Sequence, residues 1–233
     1  MLTAEFLTQI YGERTVLKDF SFSFTANQIY GIIGPNGAGK STLLRLLTAV
    51  EKPSYGRVFF DNQPLDHPIP EIGCVWQRPY LFQTSVSKNI AYGLKLRHWK
   101  EGDCRARVAR LLSLFHLENL KDAWAPELSV GESARVAIAR AIAPFPRLLI
   151  LDEPTANLDP GQTLLVEEIL TFVQKEAKIA VIIVTHDMFQ AKRIADTTLF
   201  LRNGTLEESG PSGQLFAAPA SGNTRRFIEG ELV

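Results

Sequence analysis

The sequence predicts an α/β fold in which a parallel β-sheet core carries an antiparallel β subdomain and an inserted helical subdomain. The apolar run Ile179–Val184 does not alternate with polar residues, which is typical of a strand buried on both faces of a parallel sheet. From Phe20 to Phe24 phenylalanines alternate with serines, which is the period of a half-buried strand. From residue 79 to 145 apolar residues recur at helical spacing and no strand is obvious, which indicates helices.

Length and charge limit the class of protein. A chain of 233 residues suits one large domain with an inserted subdomain. Lys+Arg and Asp+Glu both number 25, and this zero net charge gives no support to a nucleic-acid partner. Cys74 and Cys104 lack metal-ligand spacing, as expected in a reducing compartment. No signal-peptide pattern and no apolar run of membrane-spanning length is present, so we expect a cytosolic chain that could dock on a membrane protein.

The elements can be placed in order along the chain. We expect a core at residues 1–78 and 146–233 and a helical subdomain at 79–145. Predicted strands cover residues 2–10, 16–25, 29–33, 57–60, 72–76, 147–151, 179–184, 197–202 and 205–208, and predicted helices cover 43–50, 129–143, 160–175 and a stretch beginning near 187. Asn203-Gly204 joins the last two strands as a hairpin. About 25 residues follow it, so we expect no further regulatory domain.

The stretch Gly34 to Thr42, GPNGAGKST, follows an apolar strand and precedes a helix. It fits the pattern G-x-x-x-x-G-K-[ST], in which backbone N–H groups and a helix N-terminus hold phosphates. Lys40 can reach the β- and γ-phosphates, and the Ser41 hydroxyl can bind Mg²⁺. The pattern predicts a P-loop NTPase, a class that includes kinases, GTPases and many ATPases, and a plain glycine-rich turn is the alternative. The expected ATP-binding residues are Gly34, Pro35, Asn36, Gly37, Ala38, Gly39, Lys40, Ser41 and Thr42.

Two carboxylates end the predicted strand at residues 147–151. Asp152 is placed to hold Mg²⁺ through water, and Glu153 is placed to polarise a water that attacks the γ-phosphate. The alternative is a buried strand that ends in a solvated turn.

Several motifs then occur in a fixed order: GPNGAGKST, Gln77, LSVGE at Leu128–Glu132, LLILDEP at Leu148–Pro154, NLD at Asn157–Asp159, and His186. Over essentially its whole length the chain resembles the nucleotide-binding subunit of an ATP-binding cassette (ABC) transporter. The resemblance implies a RecA-like parallel-sheet core. It also implies an ATPase that uses ATP and Mg²⁺ and works as a head-to-tail homodimer.

The resemblance also implies roles for individual residues. Tyr11 would stack on adenine, although a turn tyrosine without a ligand is the alternative. Gln77 would contact the metal or the attacking water, so that the metal set is Ser41, Gln77 and Asp152. His186 would bind the γ-phosphate and orient Glu153 or the water, and Glu153, His186 and Gln77 form the catalytic set. Asp159 would bridge the two sites of the dimer.

The signature segment departs from the family pattern, because LSVGE stands where LSGGQ is usual. The resemblance implies that Ser129 and Gly131 grip the γ-phosphate held by the other subunit. Ser129 and Glu132 also form a helix capping box, which alone would explain both residues. Val130 replaces a glycine, Glu132 brings a carboxylate near a triphosphate, and Ala134 replaces a common glutamine. We expect a working but slowed ATPase.

The stretch Gln77–Arg97 resembles the importer branch, in which a groove accepts a cytoplasmic helix of an integral membrane permease. Tyr80 and Phe82 are candidate groove residues, with packing inside the helical subdomain as the alternative. The tail Arg225–Val233 resembles the ends of oxyanion importer subunits for phosphate, tungstate or molybdate. Over Gln77–Arg97 the tungstate type is nearest. The resemblance implies a peripheral protein on the cytoplasmic face of the cell membrane that works indirectly with a solute-binding protein. An amino-acid importer, an exporter, and a slow, mainly ATP-binding regulatory cassette stay open.

Overall fold

The computed structural model describes residues 1–231, so the last two residues of the tail lie outside the described part. Its strands form two sheets, one of four and one of six strands. The strands are β1 (Leu2–Tyr11), β2 (Arg14–Phe24), β3 (Ile29–Ile33), β4 (Tyr55–Phe60), β5 (Gln63–Pro64), β6 (Ile72–Val75), β7 (Leu148–Asp152), β8 (Ala180–Val184), β9 (Thr197–Arg202) and β10 (Thr205–Pro211). The helices are α1 (Lys40–Leu47), α2 (Val86–Leu96), α3 (Glu101–Leu114), α4 (Val130–Ile142), α5 (Pro160–Ala177), α6 (Met188–Ile194), α7 (Ser212–Ala217) and α8 (Gly222–Ile228).

The six-stranded sheet has the order β10-β9-β3-β8-β7-β6, and its strands β9, β3, β8, β7 and β6 are parallel. Every residue of β3, β7 and β8 is buried, which explains why the apolar run in β8 does not alternate. Strand β8 pairs with β3 on one side and β7 on the other, with Ile182 opposite both Tyr30 and Ile150. The predicted parallel-sheet core is therefore confirmed.

The two faces of this sheet pack against different layers. Val181 and Ile183 point into a core shared with α2, α3, α4 and α5. Ile182 and Val184 point into a second core that contains α1 and the four-stranded antiparallel sheet, ordered β2-β1-β4-β5. The predicted antiparallel part is confirmed, and α1 is buried between the two sheets.

The stretch between β6 and β7 is helical, as its apolar spacing predicts. It contains α2, α3 and α4, two short 3₁₀ turns, and one isolated bridge between Ser85 and Trp124. We keep 79 and 145 as proposed limits of this subdomain. Within the described residues, no helix combines the length and apolar character needed to cross a bilayer.

Some boundaries differ from the sequence prediction. Helix α1 begins at Lys40 rather than at residue 43, and Gly39, in a left-handed conformation (φ 98°), is its N-cap. The β9–β10 hairpin turns at Asn203 and Gly204, which both have positive φ, as expected for this dipeptide. The short helices α7 and α8 follow the hairpin and were not predicted.

Candidate active site

The sheet brings the predicted site residues to one edge. Gly34 follows β3, Gln77 lies just beyond β6, Glu153 follows β7, and His186 follows β8. Ligands of open α/β sheets bind outside the carboxyl ends of the strands. The positions of these side chains thus follow from where four parallel strands end.

The loop after β3 depends on glycine at two positions of close approach. A Cβ on Gly34 would lie 2.0 Å from the carbonyl oxygen of Leu201, and one on Gly39 would lie 2.8 Å from that of Val16. Both residues also have positive φ (153° and 98°), which disfavours any larger residue. The loop is therefore packed tightly against β2 and β9 while its other side faces a cleft.

Lys40 is held inside this loop. Its Nζ donates hydrogen bonds to the carbonyl oxygens of Gly34 (2.7 Å) and Pro35 (2.9 Å). Burial lowers the pKa of Lys40, while the nearby carboxylates of Glu153 and Asp152 act in the opposite direction. The ammonium group is positioned to exchange carbonyl oxygens for phosphate oxygens.

A cleft of about 360 Å³ lies over the loop. It joins predicted residues from four separate parts of the chain. Its wall consists of Tyr11, Arg14, Val16, Asn36, Gly37, Ala38, Gly39, Lys40, Ser41, Thr42, Gln77 and Glu153. Gly34 and Pro35 shape the start of the loop but do not line the cleft.

The three predicted catalytic residues meet at one oxygen atom. Gln77 donates from Nε2 to Oε2 of Glu153 over 2.9 Å, and Nδ1 of His186 lies 3.3 Å from the same oxygen. Glu153 has a left-handed backbone (φ 48°), and its N–H donates to the carbonyl of Val184, which ties the turn after β7 to β8. The Glu153 carboxylate is therefore oriented by groups from two neighbouring strand ends.

Asp152 and Ser41 form the predicted metal-binding part of the site. Burial raises the pKa of Asp152, and a hydrogen bond with Ser41 acts against this rise. Within residues 1–231 no group of three or more His, Cys, Asp or Glu could hold a metal by itself. One carboxylate with one hydroxyl fits Mg²⁺, which usually takes its remaining ligands from phosphates and water. The side-chain amide of Gln77, the third predicted ligand, is directed to Glu153.

The signature residues lie in a different cavity, of about 300 Å³, with the turn that precedes α5. Its wall consists of Ser129, Val130, Gly131, Glu132, Arg135, Asn157, Leu158, Asp159 and Gln162. Asp159 caps α5 by accepting the N–H of Gln162 at 3.0 Å. One chain therefore carries the phosphate loop and the signature in two separate cavities.

Val130 stands where the family pattern has a glycine, a residue that allows positive φ. Val130 is the first residue of α4 and has no positive φ, so a glycine is not needed there for conformational reasons. Its side chain is 61% exposed. What distinguishes the residue from glycine is thus its bulk at the surface of the signature.

A groove of about 620 Å³ lies between α2 and α3, with Ala91, Trp99 and Val108 among its apolar residues. The predicted aromatic residues do not line it. Phe82 packs on Tyr92 with ring centroids 4.3 Å apart, which is internal packing, while Tyr80 is 71% exposed.

A polar network that the sequence did not predict lies beneath the site. The fully buried side chain of Gln190 donates to Thr155 (2.9 Å) and to Glu167 (3.2 Å), and Arg193 donates to both oxygens of Glu167. The network links the turn after Glu153 to α5 and α6. None of these residues belongs to a recognisable motif, so only the fold brings them together.

The fold and the loop define the chain as a P-loop NTPase, and comparison with known proteins gives the family. A family model described as "ABC transporter" matches residues 17–156. The chain belongs to the ABC transporter family.

Curated relatives cover nearly the whole chain. A probable anion import ATP-binding protein of Haloferax volcanii is 37% identical over 254 residues, covering 100% of this chain and 88% of the relative. The tungstate uptake system ATP-binding protein TupC of Peptoclostridium acidaminophilum is 38% identical, with 89% and 97% covered. The methionine import ATP-binding protein MetN of Cutibacterium acnes is also 38% identical, with 97% and 64% covered.

Solved structures agree in fold. The chain superimposes on cbiO1 of Clostridium perfringens, part of the ABC transporter complex cbiONQ, with a TM-score of 0.85 at 35% identity, covering 93% of this chain and 90% of that one. It superimposes on a dimeric post-hydrolysis state of the ATP-binding cassette MJ0796, bound to ADP and Pi, with a TM-score of 0.83 at 27% identity, covering 91% and 99%. The chain is an ATPase and the ATP-binding subunit of an ABC importer. Anion and methionine importers match with similar identity, so the expected preference for an oxyanion is not confirmed.

Proposed function

We propose that two copies of this chain close head to tail around two ATP molecules and that hydrolysis drives solute import. The observation that carries this proposal is the separation of the two cavities on one chain. The phosphate loop and Glu153 line one cavity, while Ser129, Gly131 and Asp159 line another. A helix N-terminus with free N–H groups is an anion-binding site, and α4 begins inside the second cavity. The dimeric relative MJ0796 supports a homodimer.

The chemistry follows from the groups around Glu153. Lys40 and the loop N–H groups bind the β- and γ-phosphates, and Glu153 accepts a proton from the attacking water. Gln77 and His186 hold the Glu153 carboxylate in position through its Oε2 atom. Ser41 and Asp152 would hold Mg²⁺, which neutralises charge on the phosphates when it is bound. Ser129 and Gly131 of the second copy complete the anion site.

We further propose that the groove between α2 and α3 receives a helix of a membrane permease. The exposed cations Lys88, Lys95 and Lys121 stand beside its apolar residues, while Arg105 is paired with Glu101 at 3.7 Å. Such a groove suits an amphipathic helix with acidic residues at its edge. The chain would then lie on the cytoplasmic face of the membrane and act indirectly with a solute-binding protein.

The transported solute is proposed to be an oxyanion, with tungstate first and molybdate or phosphate next. Support comes from the relatives named for anion and tungstate uptake. A methionine importer is the second candidate, because MetN of Cutibacterium acnes is equally similar to the chain. Copurification of the chain with its permease and solute-binding protein, followed by binding measurements with tungstate and methionine, separates the two. A solute-binding partner that takes methionine or another amino acid would overturn the oxyanion proposal.

The proposed ATPase cycle is tested with the Glu153→Gln variant. We expect turnover to fall by at least roughly a hundredfold, because the general base is lost. We also expect ATP to trap this variant as a dimer on size-exclusion chromatography. Glu168→Gln changes an exposed carboxylate on α5 and serves as the control. Full hydrolysis by Glu153→Gln would remove Glu153 from the role of base, and a chain that stays monomeric with ATP would contradict the dimer.

A further inference from the structure

The hydroxyl of Tyr11 is tied to a carboxylate beyond the far end of α1. It donates to Oε2 of Glu51 over 2.7 Å, across 40 positions of sequence. The other oxygen of Glu51, Oε1, accepts from Nε2 of Gln9, also at 2.7 Å. Arg45 lies 3.8 Å from Oε2 of Glu51. Glu51 thus accepts two hydrogen bonds and forms one ion pair, which hold it in place between β1 and α1.

Gln9, one of the two residues that donate to Glu51, is itself held in place. Gln9 is 5% exposed, and its side-chain oxygen Oε1 accepts the N–H of Ser54 at 2.9 Å. Oε1 of Gln9 also lies 3.4 Å from the Ser54 hydroxyl, so this glutamine is held from two atoms of one residue. Glu51 is therefore attached to a rigid part of the molecule, whereas the Tyr11 ring is 41% exposed and lines the cleft.

We propose that Glu51 is the positioning residue for the base of the nucleotide: it fixes the Tyr11 ring at the angle from which the ring stacks on adenine. This inference rests on the proposed ATP site. A tyrosine at the end of a strand can rotate about two side-chain bonds, and a stacking contact needs one of those orientations. A hydrogen bond from the phenol to a carboxylate is short and strong, so it selects one orientation before the nucleotide arrives.

The protonation of Tyr11 is consistent with this role. Burial raises the pKa of the Tyr11 phenol, and Glu51 raises it further. The phenol therefore stays a donor throughout the physiological pH range. Loss of the Glu51 carboxylate removes the acceptor and frees the ring.

The test compares a ligand with a base and one without. Binding of ATP and of inorganic triphosphate to the full chain is measured for the wild type, Glu51→Ala and Tyr11→Phe. We expect both variants to lose roughly three- to tenfold in ATP affinity, which is part of a stacking contact. Their affinity for triphosphate should not fall. The ratio of the two affinities corrects for the general effect of removing a negative charge.

Two further variants test whether Tyr11 and Glu51 act through the same contact and whether any lost carboxylate has the same effect. The double variant Tyr11→Phe/Glu51→Ala should bind ATP no more weakly than Tyr11→Phe, because both changes remove the same contact. Glu13→Ala removes an exposed carboxylate two positions from Tyr11 and should keep the wild-type ratio. If Glu51→Ala does not fold, Tyr11→Phe still tests the hydrogen bond because its ring is retained.

The outcomes separate this inference from the proposed function. A wild-type chain that binds neither ligand contradicts the proposed ATP site itself. Wild-type preference for ATP over triphosphate that persists in Tyr11→Phe and Glu51→Ala overturns the role of Glu51. An equal affinity of the wild type for both ligands also overturns it, because then no contact with the base exists to be positioned.

Discussion

The hydroxyl of Ser129 donates a 2.7 Å hydrogen bond to Oε2 of Glu132, and the same oxygen accepts the N–H of Ser129 at 2.8 Å. The N–H of Glu132 donates back to the Ser129 hydroxyl at 3.3 Å. This capping box stabilises the start of α4. A serine hydroxyl has one proton, so Ser129 cannot donate to Glu132 and to a phosphate of a second copy at the same time.

We therefore expect Glu132→Gln to hydrolyse ATP faster than the wild type, by roughly two- to tenfold. The amide is a weaker acceptor than the carboxylate and carries no charge that repels a phosphate, so Ser129 is released more easily. Steady-state ATPase rates measure the effect. In the Glu153→Gln background, the same change should lower the ATP concentration at which the dimer forms.

The matched control is Glu127→Gln, which removes the exposed carboxylate that directly precedes the signature. It should leave both measurements unchanged. An unchanged or slower rate in Glu132→Gln would mean that the capping box does not compete with the phosphate.

Val130→Gly tests the other departure in the signature. Because Val130 has a helical backbone, the change affects exposed bulk rather than a strained conformation. We expect turnover to rise by roughly two- to fivefold, equivalent to about 0.5–1 kcal/mol. Stopped-flow or coupled ATPase assays measure the turnover rate, and Val130→Ala, with a side chain of intermediate size, should give an intermediate rate. If turnover and dimerisation are both unchanged, the valine does not obstruct the interface.

Much of the site could be predicted because motif residues lie where parallel strands end. Glu153 and His186 are adjacent for that reason, and no knowledge of side-chain packing was required. Glu51 could not be predicted in the same way. It follows a helix as an ordinary polar residue, and its contact with Tyr11 depends on how β1 packs beside α1.

The fold, like the site, has elements that the sequence predicts and elements that it does not. Strand β8 was predictable because a buried parallel strand has a continuous apolar sequence. Helices α7 and α8 have only six and seven residues, too few for a periodic pattern to appear. The sequence also could not show that the Ser129 hydroxyl donates to Glu132. The pattern S-x-x-E predicts the helix cap, but it does not predict that Glu132 and a phosphate compete for the same proton.

Glycine is required at Gly34 for a steric reason that Gly37 lacks. Both have positive φ, but a Cβ at position 34 would lie 2.0 Å from a backbone oxygen, whereas nothing lies within 4 Å of one at position 37. We expect Gly37→Ala to lower the free energy of unfolding by about 1 kcal/mol, from backbone strain alone. Gly34→Ala should cost at least about 3 kcal/mol, because strands β3 and β9 must separate. Urea unfolding measures both, and equal losses would show that the contact with Leu201 relaxes freely.

The capping box also makes a prediction about stability and pH. The pKa of Glu132 is lowered, first by the hydrogen bond from the Ser129 side chain and then by its backbone N–H. A carboxylate whose pKa is lowered by folding stabilises the native state above its unfolded pKa of about 4.3, and this contribution is lost as the pH falls through the lowered value. Because the site is accessible to solvent, we expect Glu132→Gln to be less stable than the wild type by no more than about 1 kcal/mol near pH 7. The difference should shrink as the pH falls below about 4.3, and urea unfolding near pH 7 and near pH 3 measures it. A difference that is the same at both pH values would rule out the charged cap. Together with the faster turnover expected of Glu132→Gln, a stability loss confined to neutral pH would mean that this chain stabilises α4 with the same hydrogen bond that slows its ATPase.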